Sequence, residues 1–304
     1  MSNCREFFHG LRRDWQLVLL VLPGVIFYII YRYLPMYGLI IAFKDYGIYT
    51  GINGSPWVGF KYFQEFFSSG DFVRLFKNTL LIGVYGLLWT FPFPIILAIL
   101  LNEMRVKPVQ KLVQTVSFLP SFLSTVVVCS MVIDFLSPST GIINTIIKAL
   151  GGEPIYFMVK PEWFRTVYIS STIWQQTGYN AVIYLAALTS LDTSLLEAAE
   201  IDGCGRLKKI WYVVLPSLLP TITIMFILNS GNVFKVAQDK MLLLYNPATY
   251  SVSDIFSTFT YRKGIVESNY SYSTAVGFFE ALVSLVVVTV TNWLGKRMND
   301  TSLW

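Results

Sequence analysis

Two polar stretches interrupt an otherwise apolar chain: Trp174-Gln175-Gln176-Thr177-Gly178-Tyr179-Asn180 and Asn229-Ser230-Gly231-Asn232-Val233-Phe234-Lys235. An amide side chain donates and accepts at once, so it pairs readily with hydroxyl groups. Aromatic faces cover C–H groups. Together these side chains suit recognition of a hydroxyl-rich ligand rather than bond-making. Lys235 would favour an acidic ligand if it faces the same place, and carries no such meaning if it snorkels to an interface. The competing reading is structural, because amides and small residues also join one membrane helix to another. Two acids, Asp134 and Glu280, also stand in apolar surroundings. Such acids can relay protons or pair with a lysine, but two acids with no histidine and no ladder of partners make a weak proton pathway.

Other chemistry is poorly supplied. The one histidine is His9, so reactions that need two imidazoles are absent. Cys4, Cys129 and Cys204 are odd in number and far apart, which gives neither a disulfide framework nor a metal set. No G-x-S-x-G, H-E-x-x-H or G-x-x-x-x-G-K-[ST] pattern occurs, so no hydrolase site and no phosphate-binding loop of its own is expected.

The elements that must position the polar stretches are set by hydropathy. Of 304 residues, 54% are hydrophobic and only 13% charged, against about 25% charged in an ordinary soluble domain. A bilayer core needs about 20 mostly apolar residues per helix. Runs of that kind fall at about 16–34, 78–102, 112–136, 166–190, 211–234 and 275–295. Backbone polar groups in hydrocarbon must be satisfied within the segment, so these runs are expected as helices. The expected fold is all-α, a single polytopic membrane domain of six transmembrane helices over residues 1–304. The first run is too long for a signal peptide and lacks a small-residue cleavage site. The net charge of +5 is scattered, which gives no reason to expect a nucleic-acid partner.

Six spans put both ends on one side. That side carries Arg5, Arg12, Arg13, Arg105, Lys107, Lys111, Arg206, Lys208, Lys209, Lys296 and Arg297. Basic residues are about twice as dense there as on the other side, which places both termini in the cytoplasm.

Residues 191–216 then form a cytoplasmic loop. Asp192 and Thr193 can cap a short helix, Glu197 suits its first turns, and Gly203 and Gly205 can stop it in a left-handed conformation. An ordinary interfacial hairpin would also read this way. The spacing Glu197-Ala198-Ala199, Asp202-Gly203, Val213, Leu215-Pro216 resembles the EAA motif of binding-protein-dependent ABC transporter permeases. Val213 replaces the usual Ile, and Cys204 the usual small residue after the Gly. The stretches MYGLIIAFKDY (36–46), GSPWVGFKYFQEFF (54–67), NTLLIG (78–83), FLPSFLSTVV (118–127), LYNPATYSVSDIFSTFTYRKG (244–264) and NYSYSTAVGFF (269–279) are similar to the polysaccharide and aldouronate-type oligosaccharide permeases of the carbohydrate-uptake group, with a MalF-like fold.

That resemblance implies a type I importer transmembrane subunit in a bacterial cytoplasmic membrane. Glu197, Ala198, Ala199, Asp202, Gly203, Leu215 and Pro216 would form the coupling element that docks on an ATPase. Trp174, Gln175, Gln176, Tyr179 and Asn180, with Asn229, Asn232 and Lys235, would line the sugar pathway. The expected partners are a second, homologous permease, two ATP-binding-cassette subunits, a solute-binding protein and the oligosaccharide, all within membrane lipid. No cofactor is expected in this chain, since ATP and Mg belong to the partner ATPase. A secondary transporter or channel without an ATPase is the alternative; the EAA spacing and the single half-pathway per chain speak against it.

Overall fold

The computed structural model describes residues 13–299. Cys4, Arg5, His9 and Arg12 lie outside the described residues. Within them the chain is helical, with no strand named and one isolated antiparallel bridge, Lys44 to Trp57.

The first apolar run forms the rod α1, Trp15–Phe43, whose most apolar window buries nothing against the rest of the chain. After the loop 44–60 comes the short helix α2, Lys61–Ser68. The rod α3, Gly70–Asn102, follows. It starts well before the apolar run, because its first turns extend beyond the hydrocarbon; there Asp71 and Arg74 pair at 2.6 Å one turn apart. The third apolar run is broken. Helix α4, Lys107–Phe122, meets α5, Thr125–Phe135, at 101°. Pro120 sits in the last, tightened turn of α4, Leu123 and Ser124 are extended, and Ser124 caps α5 by accepting from the Val127 amide.

Helix α6, Ile142–Ala149, leads to the long α7, Pro161–Thr189, which packs on α3, α4 and the later span α9. The short α8, Thr193–Ile201, turns 76° away from α7. The rod α9 runs Arg206–Ser230, α10 is Gln238–Leu244, α11 is Phe256–Tyr261 and α12 is Tyr270–Asn299. Four rods are long and apolar enough to cross a bilayer, or up to 6 segments if each bent pair counts once. The chain is a multi-pass membrane protein of all-α class.

Two wide π-turns, Ile29–Tyr33 and Ile210–Val214, each precede a proline, Pro35 and Pro216. A proline ring excludes the regular bond to the carbonyl four residues back, and a widened turn absorbs the misfit.

Packing falls into three clusters. Tyr62, Phe63, Phe66, Phe256, Phe259 and Tyr272 bind α2 and α11 to the N-terminal ends of α3 and α12. Ile82, Cys129, Phe164, Tyr168, Met241 and Ile255 tie α10 to α3, α5 and α7. Ile95, Ala98, Tyr184, Leu188, Val214 and Leu218 join α3, α7 and α9 at the other end. Among the described residues the strongest polar anchor is Asp254, fully buried. It accepts from Arg262 at 2.7 and 3.2 Å, from Arg74 at 3.3 Å and from Thr258 at 2.9 Å. Its backbone carbonyl takes an N–H of Asn78, and the Asn78 carbonyl oxygen accepts from Arg165. This network fixes the segment between α10 and α11 onto the N-terminal ends of α3 and α7.

Candidate functional site

On a helix, residues four apart share a face. On α7 that rule sets Tyr168, Thr172 and Gln176 in one stripe. They form one wall of a cavity of about 270 Å³, with Gly83, Gly86 and Thr90 of α3 opposite. The third wall comes from the end of α9 and the turn beyond it: Asn229, Asn232 and Lys235. Helix α9 stops at Ser230, and residues 231–237 are irregular. Non-helical backbone at such a position is tolerated where it lines a cavity or is buried in protein. Gly83 makes the approach possible, since a Cβ there would overlap the Val233 carbonyl.

Gln176, Asn229, Asn232 and Lys235 are therefore brought together. The neighbouring residues of the first polar stretch are not. Trp174 lines a separate apolar cavity of about 400 Å³ with Met131, Phe135 and Trp163. Gln175 donates to the Leu123 carbonyl at 3.3 Å, where the break between α4 and α5 leaves backbone unpaired. Tyr179 stacks on Phe118 at 5.8 Å and is otherwise exposed. Asn180 is half-buried and outside the lining of the polar cavity. Tyr168 and Thr172 were missed by reading a contiguous run; the signal for them was the spacing of four and eight residues back from Gln176.

Lys235 also lines a second cavity, about 230 Å³, with Ser257 of α11 and Glu280 of α12. Its charge acts on Glu280 across that space, yet it forms no ion pair among the described residues. Asp134 stands exposed in the last turn of α5, so the two acids sit on different elements.

The opposite end of α7 and α9 carries the loop. Asp192 caps α8 by accepting from the Ser194 amide at 2.9 Å, which holds its carboxyl below the usual range. Glu197 and Ala198 are exposed, and Ala199 is half-buried. Glu197 lies beyond the first turn of α8, since the helix starts at Thr193. The helix ends in a Schellman motif: the Gly203 amide bonds the Glu200 carbonyl at 3.0 Å, and the Cys204 amide bonds the Ala199 carbonyl at 2.9 Å. Gly203 has φ +72°. Gly205 does not share this role; its φ of −67° makes it the N-cap of α9. Asp202 closes α8, and Leu215-Pro216 follow the π-turn of α9.

Glu200 pairs with Lys209 at 2.8 Å, joining α8 to the first turn of α9. This hydrogen bond lowers the Glu200 carboxyl, and Arg105, from the loop before α4, adds to the same field. The two basic loops thus share one face. Ile201 and Leu207, 87% and 75% exposed, stand on either side of the turn.

Comparisons with known proteins agree on a family. Residues 91–300 match the model described as binding-protein-dependent transport system inner membrane component. Protein LplB of Bacillus subtilis (strain 168) is 41% identical over 295 residues, covering 97% of this chain and 93% of that one. The polygalacturonan/rhamnogalacturonan transport system permease protein YteP of the same organism is 41% identical over 288 residues, covering 95% and 90%. The crystal structure of a bacterial ABC transporter involved in the import of the acidic polysaccharide alginate contains a similar chain, with a TM-score of 0.90 and 40% identity over 97% of this chain and 99% of that one. A structure of a bacterial alginate ABC transporter in complex with an alginate pentasaccharide-bound periplasmic protein gives the same figures.

Proposed function

Because the chain belongs to the binding-protein-dependent transport system inner membrane components, we propose that it supplies one half of the pathway of an ATP-driven importer for an acidic oligosaccharide. The observation that carries this reading is the polar cavity among the spans. Gln176, Asn229, Asn232 and Thr172 offer donors and acceptors to sugar hydroxyls, and Lys235 offers a cation with no ion-pair partner among the described residues. Lys235 is exposed at this wall, so its ammonium is free to meet an incoming carboxylate. The relatives named for polygalacturonan and alginate carry carboxylate sugars, which supports an anionic rather than a neutral cargo.

The cavity is open on one side, and a second permease would close it. A solute-binding protein would deliver the sugar from the side of the aromatic cluster. The turn at Gly203, with Glu197 and Ile201 beside it, would dock on a separate ATPase that holds ATP and Mg. That arrangement puts both termini in the cytoplasm. Glu197 offers its carboxylate to basic groups of the ATPase, while Ile201 and Leu207 offer apolar contact.

The test uses the complex coexpressed with its partner subunits and reconstituted with its binding protein. Oligogalacturonide-stimulated ATP hydrolysis and uptake are measured for the wild type, Asn232→Leu and Lys235→Ala. Both variants are expected to copurify with the partners. Asn232→Leu should reduce uptake about five- to a hundredfold, since a sugar hydrogen bond left unmade costs about 1–3 kcal/mol. Lys235→Ala should reduce uptake of the oligogalacturonide more than that of its carboxyl-reduced, neutral counterpart. Uptake by the purified chain without an ATPase would overturn the importer reading, and equal handling of the two sugars by wild type would overturn the acidic cargo.

A further inference from the structure

One cation of this region stands outside the lining of the polar cavity. Lys240, on α10 between the fifth and sixth spans, is 3% exposed. Its ammonium donates to the Thr172 hydroxyl at 3.0 Å and lies 5.6 Å from the centre of the Tyr168 ring. Thr172 and Tyr168 both line the polar cavity, so the charge stands directly behind its wall. The Thr172 hydroxyl gives its own proton to the Tyr168 carbonyl at 2.8 Å. Lys240 therefore takes one lone pair of that oxygen and fixes which way it points.

Among the described residues no carboxylate balances this ammonium, and it forms no ion pair. The titratable groups facing it are the Cys129 thiol on α5 and the Tyr168 phenol on α7. Asp134 of α5 is exposed at that helix's end, Asp239 is its sequence neighbour without an ion pair, and α11, which also packs on α10, carries no charged residue. A buried ammonium held by one hydroxyl and one ring is under-compensated. Two cations, Lys240 behind one wall and Lys235 in another, then act on one cavity.

We infer that Lys240 is a specificity-determining positioning residue: its charge, reaching the cavity through Thr172 and Tyr168, favours passage of carboxylate-bearing sugar units over neutral ones. This rests on the acidic-cargo reading of the same cavity. Burial pushes the Lys240 ammonium down to about 8, with the Cys129 thiol opposing the fall. The charge is therefore present at pH 7 and mostly gone by pH 9.

The experiment measures the ratio of oligogalacturonide to carboxyl-reduced oligosaccharide uptake by the reconstituted complex. The same binding protein is used throughout, so that its own preference cancels between wild type and variant. In wild type the ratio should fall about tenfold between pH 7 and pH 9, the size of one charge contact in partly wet protein. Lys240→Met should show that lower ratio already at pH 7 and no step at pH 8. Lys240→Arg, which stays charged, should keep the high ratio through pH 9. A Lys240→Met complex that keeps the wild-type ratio and pH step overturns the inference while leaving the acidic-cargo reading in place. A wild type with no acid preference overturns both. Should Lys240→Met not assemble, Lys240→Gln takes its place: a neutral variant that keeps the wild-type ratio at pH 7 refutes the role.

Discussion

Gly203→Val isolates the turn from everything else in the loop. At φ +72° the residue sits in the left-handed region, yet a Cβ there would meet nothing within 4 Å. The cost of a side chain is thus conformational and not steric against neighbours. For an L-residue such as Val it is about 1–2 kcal/mol. At about 1.4 kcal/mol per factor of ten, the native turn loses roughly tenfold of its population relative to other loop geometries. Two backbone bonds leave with it, from Gly203 to Glu200 and from Cys204 to Ala199. The loop lies on the surface, so the helical core should assemble unchanged. Substrate-stimulated ATP hydrolysis should fall about five- to thirtyfold, with copurification of the ATPase weakened. Gly203→Asn should recover most of the activity, because Asn tolerates this conformation. If Val and Asn behave alike, at full or at lost activity, the dependence on backbone conformation is wrong.

Two further expectations follow from the packing. Asp254→Ala removes the shared acceptor of Arg74 and Arg262 and should lower stability by about 3–5 kcal/mol, the usual cost of stranding a buried partner; thermal unfolding of the purified complex measures it, and partial recovery in Asp254→Ala/Arg262→Leu should accompany it. Gly83→Ala forces the α3 backbone away from the Val233 carbonyl, costing about 1–3 kcal/mol; uptake should drop while the subunits still copurify, and normal uptake would show that the approach of α3 to residues 229–235 is not needed.

Hydropathy made the rods legible, because only helices satisfy backbone groups inside hydrocarbon. It also made their ends illegible: the apolar run near Lys77 marks the edge of the hydrocarbon and not the start of α3 at Gly70. The break at Leu123-Ser124 left no mark in composition, since both sides of it are apolar. Of the residues that share the polar cavity, Gln176, Asn229, Asn232 and Lys235 were legible as polar side chains set in apolar runs. Trp174, Gln175, Tyr179 and Asn180 wrap around α7 instead, because consecutive residues on a helix point about 100° apart. Lys240 could not be read at all: its segment looks like a solvated outer loop, and only tertiary packing buries it. Gly203 and Gly205 look equivalent in sequence, but only the first has the left-handed φ, the second being held extended as a cap.

The loop joins the two helices whose far portions carry the polar cavity. Helix α7 holds Thr172 and Gln176, then ends at Thr189; α9 begins at Arg206 and ends beside Asn229. At 25 residues, α9 is a rod of about 37 Å. The Glu200–Lys209 pair links α8 to its first turn, the contact through which a push on α8 would reach α9 in the importer reading. The compliant points are the π-turn before Pro216 and the irregular segment 231–237, one near each end of the rod. In the importer reading, docking and release at α8 would tilt α9 against α7 about those points. That motion would separate Asn229 and Asn232 from Gln176 without unfolding any helix, and so would convert a stroke at the ATPase into opening and closing of the cavity.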